Sequence, residues 1–251
     1  MLECRSVQKH FGGVQAVRGC SLKVDEHAIV GLIGPNGAGK TTLFNVIAGA
    51  FPATSGEVHF KGEKISGLPA WQIASRGIAR TFQTPHGFPS MTVMENLMVA
   101  PLNQVGDRVL RGFWRGSGVK AQEGENHDKA MRLLASVDML EYRNELMVNL
   151  SAGDARVVEM VRQLMLDPSL LLLDEPAAGI NPALTGHLLA LLRRLRAEGL
   201  TILAIDHNLG FIMELCDYIY VLARGQIICQ GTPDEVSCDP AVIQAYLGKS
   251  A

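Results

Sequence analysis

A glycine-rich loop beginning at Gly34 has the residue types and the spacing needed to hold a polyphosphate. It satisfies the pattern G-x-x-x-x-G-K-[ST] between an apolar run, Ala28 to Ile33, that predicts a strand and a helical pattern that starts at Lys40. Glycines let backbone N–H groups curl around phosphates, and the positive end of the next helix adds to the attraction. The predicted phosphate-binding residues are Gly34, Pro35, Asn36, Gly37, Ala38, Gly39, Lys40, Thr41 and Thr42.

Two side chains of this loop have specific chemistry. Lys40 is expected to reach the β- and γ-phosphates of a nucleotide, and the Thr41 hydroxyl is expected to hold Mg²⁺. An accidental glycine-rich turn is the alternative, and the strand before the loop argues against it. The loop alone would suit a kinase or a GTPase equally well, so other residues must choose the reaction.

Adjacent carboxylates follow a second apolar run, in the segment LLLLDEP that ends at Pro176. A continuous apolar run indicates a parallel strand covered on both faces, and ligands bind at the carboxyl ends of such strands. We expect Asp174 to hold Mg²⁺ through water and Glu175 to polarise the water that attacks the γ-phosphate. The alternative is a solvated pair at the end of a strand.

Composition limits the possible partners and the organisation of the chain. Its 251 residues fit one large domain or one domain with an inserted subdomain, and a net charge of −2 gives no positive field for nucleic acid. The five cysteines are scattered and lack the paired spacing of a zinc site or a disulfide framework, which indicates reduced cytosolic thiols. No apolar stretch reaches membrane-spanning length and the first ten residues do not resemble an export signal, which predicts a position on the cytoplasmic side of any membrane.

The pattern of elements indicates an α/β protein. Strands are predicted at Leu170 to Leu173 and at Thr201 to Ile205, and the intervening helix has Asn181 as its cap and Gly199 beyond its end. Alternating β and α segments favour a parallel sheet. Residues Gly56 to Gly62 alternate apolar and polar side chains, which predicts a small antiparallel sheet beside it.

The remaining segments have different patterns. Helical patterns dominate from Pro85 to about Leu150 and predict an inserted helical subdomain. A hairpin is predicted over Tyr218 to Gln230, and Thr232 with Glu235 matches a capping box that opens a last helix.

Taken together, these motifs resemble those of the ABC ATPases, in the same order and over the whole chain. The resemblance implies that Gln83, in ARTFQ, joins the Mg²⁺ and water site to the helical subdomain, and that His207, in LAIDHN, contacts the γ-phosphate. It also implies that Phe11, in HFGG, stacks on adenine. A surface or cap role for His207 and a core role for Phe11 are the alternatives.

The resemblance also implies the fold. The expected fold is that of a P-loop NTPase of the ABC-ATPase type, with a RecA-like parallel-sheet core, a small antiparallel β-subdomain and an inserted α-helical subdomain. We expect a single domain in which residues 1–84 and 151–251 form the nucleotide-binding core and residues 85–150 form the helical insert.

The segment LSAGD, Leu150 to Asp154, departs from the usual family signature LSGGQ. In the family this segment presents a hydroxyl and backbone amides to ATP held by another subunit, and Ser151 and Gly153 are kept. Asp154 is expected either to cap the new helix or to stand close to the other subunit's phosphates. We expect a working ATPase whose turnover this change could slow.

Several stretches are closer to the importers of branched-chain amino acids and related compounds, among them DEPAAGINP and DPAVIQAYLG. That resemblance implies a partner ATPase subunit, two membrane permease subunits and an extracytoplasmic substrate-binding protein. It implies a peripheral position on the cytoplasmic face of the inner membrane. Two alternatives stay open. In these, the chain is either a nucleotide-binding regulatory subunit in a pair of unequal ATPase subunits, in which one nucleotide site is silent, or a soluble ABC ATPase without a transport role.

Overall fold

The computed structural model describes residues 1–81, 87–101 and 117–247, so Gln83 lies outside the described residues. Packing divides the chain into two compact units. The first unit comprises Met1–Arg80, Ser169–Ala178 and Leu192–Ala251, and the second comprises Thr81–Pro168 and Gly179–Leu191. The second unit therefore takes in segments outside the predicted insert 85–150, and the predicted domain boundaries stay a prediction.

The first unit contains two sheets, whose strands are numbered along the chain. They are β1 Leu2–Phe11, β2 Val14–Val24, β3 Ile29–Ile33, β4 Ser55–Phe60, β5 Glu63–Lys64, β6 Ile78–Arg80, β7 Leu170–Asp174, β8 Thr201–Ile205, β9 Tyr218–Ala223 and β10 Gln226–Gly231. The smaller sheet has the order β2-β1-β4-β5 and is antiparallel. The larger has the order β10-β9-β3-β8-β7-β6, in which only β10 is antiparallel to its neighbour.

Helices connect these strands and are also present in the second unit. They are α1 Lys40–Ile47, α2 Ala70–Ser75, α3 Val93–Met98, α4 Ser117–Ala135, α5 Ala152–Leu164, α6 Pro182–Ala197, α7 Leu209–Leu215, α8 Pro233–Cys238 and α9 Pro240–Leu247. Two 3₁₀ turns, Leu140–Asn144 and Met147–Asn149, precede α5. The capping box predicted at Thr232 is confirmed, since its hydroxyl accepts from the N–H of Glu235 and the Glu235 carboxylate accepts from the Thr232 N–H.

The core of the first unit lies around the central strands. Every residue of β3, β7 and β8 is buried. For β7 and β8 this confirms the prediction of parallel strands covered on both faces. Cys4, Cys20 and Cys216 are buried as well, and burial raises the pKa of the Cys20 thiol to about 11. Burial raises the pKa of the Cys4 and Cys216 thiols as well, which favours their protonated form at neutral pH.

Among the residues that the structure describes, no helix has the length and apolar character required to cross a membrane.

Candidate functional site

The carboxyl ends of four neighbouring parallel strands place polar groups along one edge of the larger sheet. We call this the carboxyl edge: β6 ends with Arg80, β7 ends with Asp174, β8 is followed by Asp206, and β3 is followed by Gly34. Open α/β sheets bind ligands at this edge. The phosphate loop and the two predicted carboxylates therefore belong to one site, although 134 positions separate Lys40 from Asp174 in the sequence.

The backbone of the phosphate loop requires glycine at both ends. Gly34 has φ 150°, and a Cβ atom there would lie 1.9 Å from the carbonyl oxygen of Leu222. Gly39 has φ 104°, and its Cβ would lie 2.3 Å from the carbonyl oxygen of Ala16. The loop is thus pressed against β2 and β9 at a distance that only glycine permits.

The end of this loop is built to attract an anion. Lys40 is the first residue of α1, and its Nζ atom donates to the carbonyl oxygens of Gly34, at 2.7 Å, and Pro35, at 3.1 Å. In this described stretch, the amino end of α1 has neither a side-chain cap nor an acidic residue in its first turn. The first N–H groups, the helix dipole and the ammonium therefore act together on a bound phosphate.

Glu175 has an unusual backbone conformation immediately after β7. Its φ of +52° lies in the left-handed region, which costs a non-glycine residue on the order of 1 kcal/mol. Its N–H donates to the carbonyl oxygen of Ile205 at 2.8 Å, which holds the residue against the end of β8. In this position the Glu175 Oε1 atom lies 3.7 Å from Nδ1 of His207. The structure thus brings together the two residues predicted to act on the water and the γ-phosphate.

Asp206 is a residue of the site that the sequence analysis did not single out. Its side chain is buried, its Oδ2 accepts the N–H of Ala177 at 3.0 Å, and its Oδ1 accepts the N–H of Asn208 at 2.8 Å. It therefore ties the segment after Glu175 to the loop that carries His207. A carboxylate directly after a predicted buried strand was the signal that could have identified it.

Oxygen ligands suitable for Mg²⁺ are present at this edge. Thr41 is an exposed residue in the first turn of α1, and the side chain of Asp174 is 3% exposed. Mg²⁺ prefers hard oxygen donors, and it typically takes one or two ligands from the protein and the rest from phosphates and water. The two residues fit such an ion, and their predicted roles stay predictions.

Phe11, at the end of β1, is part of an aromatic group. Its ring is 47% exposed and packs edge-on against Phe51, with the centroids 5.3 Å apart. Nζ of Lys9 lies 5.1 Å from the Phe11 centroid and 4.9 Å from the Phe51 centroid. Phe51 and Lys9 were missed in the sequence, because their approach to Phe11 depends on how the chain returns after α1. An exposed, supported ring of this kind is a suitable platform for a base.

We expect Phe11→Ala to weaken ATP binding by about tenfold, because stacking on a base contributes about 1–3 kcal/mol. Titration with a fluorescent ATP analogue measures the change. Val14→Ala, across the turn from Phe11 and 66% exposed, is the matched control and should bind like the unmodified chain. Equal affinities for Phe11→Ala and Val14→Ala would exclude a stacking role.

The signature segment lies in the second unit, where Ser151 is the N-cap of α5. The Ser151 hydroxyl oxygen accepts the N–H of Asp154 at 3.2 Å, and the hydroxyl donates to the Asp154 Oδ2 atom at 2.6 Å. The cap is therefore Ser151. The sequence analysis named Asp154 as a possible cap, but its carboxylate instead accepts the hydrogen bond from the Ser151 hydroxyl. The negative charge of Asp154 also stabilises the first turn of α5, because it lies near the positive end of the helix dipole.

Gly153 is required by a close backbone approach in the same unit. A Cβ atom there would lie 2.8 Å from the carbonyl oxygen of Gly179 and 3.3 Å from Cα of Ile180. The amino end of α5 thus packs directly on the segment that follows Ala178. Ala152, the other departure from the usual signature, is exposed.

Comparison with known families gives two matches. The family described as ABC transporter matches residues 17–178, and the family described as branched-chain amino acid ATP-binding cassette transporter matches residues 226–251. Together they include the phosphate loop, Glu175 and the last two helices.

Individual relatives are similar over the full chain. The high-affinity branched-chain amino acid transport ATP-binding protein BraF of Pseudomonas aeruginosa is 40% identical over 251 residues, which cover 100% of this chain and 98% of that protein. LivG of Escherichia coli K12, with the same description, is 39% identical over the same shares. Among solved structures, a nucleotide-free ATP-binding cassette from an ABC transporter has a TM-score of 0.85 and 34% identity, and covers 98% of each chain. A structure of the ADP conformation of an ATP-binding cassette of an ABC transporter has a TM-score of 0.83 and 33% identity, and covers 99% of this chain and 98% of that one.

Proposed function

This chain belongs to the ABC transporter family as an ATP-binding cassette, and from that premise we propose that it energises an importer of branched-chain amino acids or related compounds. The observation that carries the ATPase part is the meeting of Gly34, Asp174 and the Glu175–His207 pair at the carboxyl edge of one sheet. The substrate class is supported by relatives that match over the full length.

The predicted site residues at and next to the carboxyl edge have distinct tasks in this proposal. Lys40 and the first N–H groups of α1 hold the β- and γ-phosphates. Thr41, and Asp174 through water, would hold Mg²⁺, which would supply positive charge to those phosphates. Glu175 accepts a proton from the attacking water while the bond from the γ-phosphorus to the bridging oxygen breaks, so that ADP and phosphate are formed. His207, whose Nδ1 atom lies 3.7 Å from the Glu175 carboxylate, contacts the γ-phosphate.

Other residues connect this chemistry to partners. We assign Ser151 and Gly153 to the nucleotide of a partner ATPase subunit, and Gln83 to a link with the helical region. Two membrane permease subunits and an extracytoplasmic substrate-binding protein complete the proposed complex, at the cytoplasmic face of the inner membrane. ATP binding and hydrolysis would then alternate the permease between two states.

The complex itself provides the test. We expect the complex of this chain with its partner ATPase and permeases, in lipid, to hydrolyse ATP faster when a leucine-loaded binding protein is added. A binding protein with no amino acid bound is the control. An ATPase rate that does not respond to any loaded binding protein of this class would contradict the importer.

A regulatory subunit with a silent site is the second candidate, and the bond between Ser151 and Asp154 favours it. A hydroxyl that already donates to a carboxylate at 2.6 Å must exchange that bond before it can donate to a phosphate. The carboxylate would also repel a phosphate of the other subunit. Both effects would slow hydrolysis at the site that this signature completes.

We therefore expect Asp154→Gln to raise the ATPase rate of the assembled complex severalfold, because the change removes the charge and releases the hydroxyl. The same change should lower the free energy of unfolding by about 0.3–1 kcal/mol, since an acidic group is lost from the first turn of α5. Steady-state phosphate release and denaturant unfolding measure the two effects. Asp128→Asn, an exposed position in α4, is the control and should change neither quantity. An unchanged or lower rate for Asp154→Gln would show that Asp154 does not restrain turnover.

A further inference from the structure

Arg80, the last residue of β6, forms a buried ion pair with the carboxylate predicted to hold Mg²⁺. Its Nη2 atom donates to the Asp174 Oδ2 atom at 3.0 Å, and the two side chains are only 11% and 3% exposed. The pairing follows from the sheet, because β6 lies beside β7 and the two strands run parallel. Arg80 and Asp174 therefore end neighbouring strands at the carboxyl edge.

The same guanidinium also reaches the helix that follows the phosphate loop. Its Nη1 atom donates to the Oδ1 atom of Asn45 at 2.5 Å, and Asn45 lies in α1 five positions after Lys40. Arg80 thus joins three elements: β6, which carries it, β7, which carries Asp174, and α1, which carries Thr41. The two terminal nitrogens of a planar guanidinium donate in fixed directions. This bridge therefore constrains the orientation of Asp174 and Asn45 as well as the distance between them.

The bridge has a direct effect on Asp174. A carboxylate that is almost fully buried needs a partner, and a bond to one oxygen fixes the direction in which the other oxygen points. Groups that orient a metal ligand in this way affect metal affinity strongly, and removing one typically costs about 10–100-fold.

We propose that Arg80 is a positioning residue that holds Asp174 in register with Thr41 and thereby sets the Mg²⁺ concentration at which the nucleotide site is half-saturated. This inference rests on the proposed function, and it adds a residue for which neither the sequence nor the relatives' descriptions give a role. Two effects of losing Arg80 oppose each other. Loss of a positive charge beside Asp174 would favour Mg²⁺, whereas loss of orientation would disfavour it. In a buried bridge with two anchors the loss of orientation dominates.

The test measures Mg²⁺ dependence by binding as well as by activity. The full chain, alone and in its complex, is titrated with Mg²⁺ while the affinity for a fluorescent ATP analogue and the ATPase rate are followed. For Arg80→Gln we expect the half-saturating Mg²⁺ concentration to rise by about tenfold in both assays. Binding of the analogue in excess EDTA should stay unchanged, since Lys40 and the loop remain.

Two further variants separate positioning from charge. Arg80→Lys keeps the charge but cannot reach both partners with a planar fork, and Asn45→Ala removes only the anchor on α1. Both should raise the half-saturating Mg²⁺ concentration by a smaller factor than Arg80→Gln, and they provide the test if Arg80→Gln does not fold. Arg76→Gln is the matched control, because Arg76 lies four positions earlier with its side chain 37% exposed.

The possible outcomes are distinct. A purely structural ion pair would lower the melting temperature of the Arg80 variants and leave the Mg²⁺ dependence of folded protein unchanged, which would overturn the inference. A lower half-saturating concentration in Arg80→Gln would also overturn it, since charge and not orientation would then dominate. If the unmodified complex hydrolysed no ATP, the proposed function would fail, and the binding titration would still decide the role of Arg80.

Discussion

Glu175→Gln is expected to lower the rate of ATP hydrolysis by about a thousandfold while the protein still binds ATP. General base catalysis contributes about 10²–10⁴-fold, and a neutral amide cannot accept the proton of the attacking water. The substitution is nearly isosteric, and the backbone N–H that donates to Ile205 is retained, so the left-handed conformation at this position is kept. Single-turnover hydrolysis and equilibrium nucleotide binding, measured on the same preparation, separate the two effects.

The control for this prediction is Glu198→Gln. Glu198 is 61% exposed and pairs with Arg194 at the surface, so neutralising it should leave the ATPase rate unchanged. Hydrolysis by Glu175→Gln at the rate of the unmodified complex would remove Glu175 from the reaction. Equal inactivity of the unmodified complex and Glu175→Gln with every loaded partner would instead support the regulatory subunit.

Gly39→Ala is expected to weaken ATP binding by about a hundredfold, which corresponds to about 2.7 kcal/mol. The residue has φ 104°, which an L side chain rarely adopts, and a methyl group would lie 2.3 Å from the carbonyl oxygen of Ala16. Backbone strain of this kind costs on the order of 1–3 kcal/mol, and the contact with Ala16 adds to it. The loop must therefore move, and with it the N–H groups and Lys40 that contact phosphate.

A fluorescent ATP analogue measures binding by Gly39→Ala, and circular dichroism with thermal unfolding reports whether the fold survives. Gly13→Ala is the matched control: it lies in the turn between β1 and β2, its φ is not positive, and nothing lies within 4 Å of the added Cβ. Gly13→Ala should bind ATP normally. A folded Gly39→Ala variant with normal affinity would show that the close approach to β2 does not shape the phosphate loop.

Local sequence signals were sufficient to predict several elements of the fold. The glycine pattern before Lys40, the all-apolar strands and the capping box at Thr232 each depend on residues a few positions apart, and the structure places a loop, buried strands and a helix there. The order of motifs was enough to identify the family, which the comparisons confirm. The roles assigned to the individual site residues, from Phe11 and Lys40 to Glu175 and His207, stay predictions.

Contacts between residues far apart in the sequence depend on how the strands and helices pack. Arg80 and Asp174 are 94 positions apart, and only the adjacency of β6 and β7 brings them together. The contact between Asp206 and Ala177 likewise depends on the long return through α6, because the order of strands in a parallel sheet is set by packing and not by any local pattern. The bond between the near neighbours Ser151 and Asp154 was not predictable from the sequence either. A carboxylate in the first turn of a helix can cap the helix, face solvent or accept a hydrogen bond from a hydroxyl, and the side-chain orientation selects the last of these here.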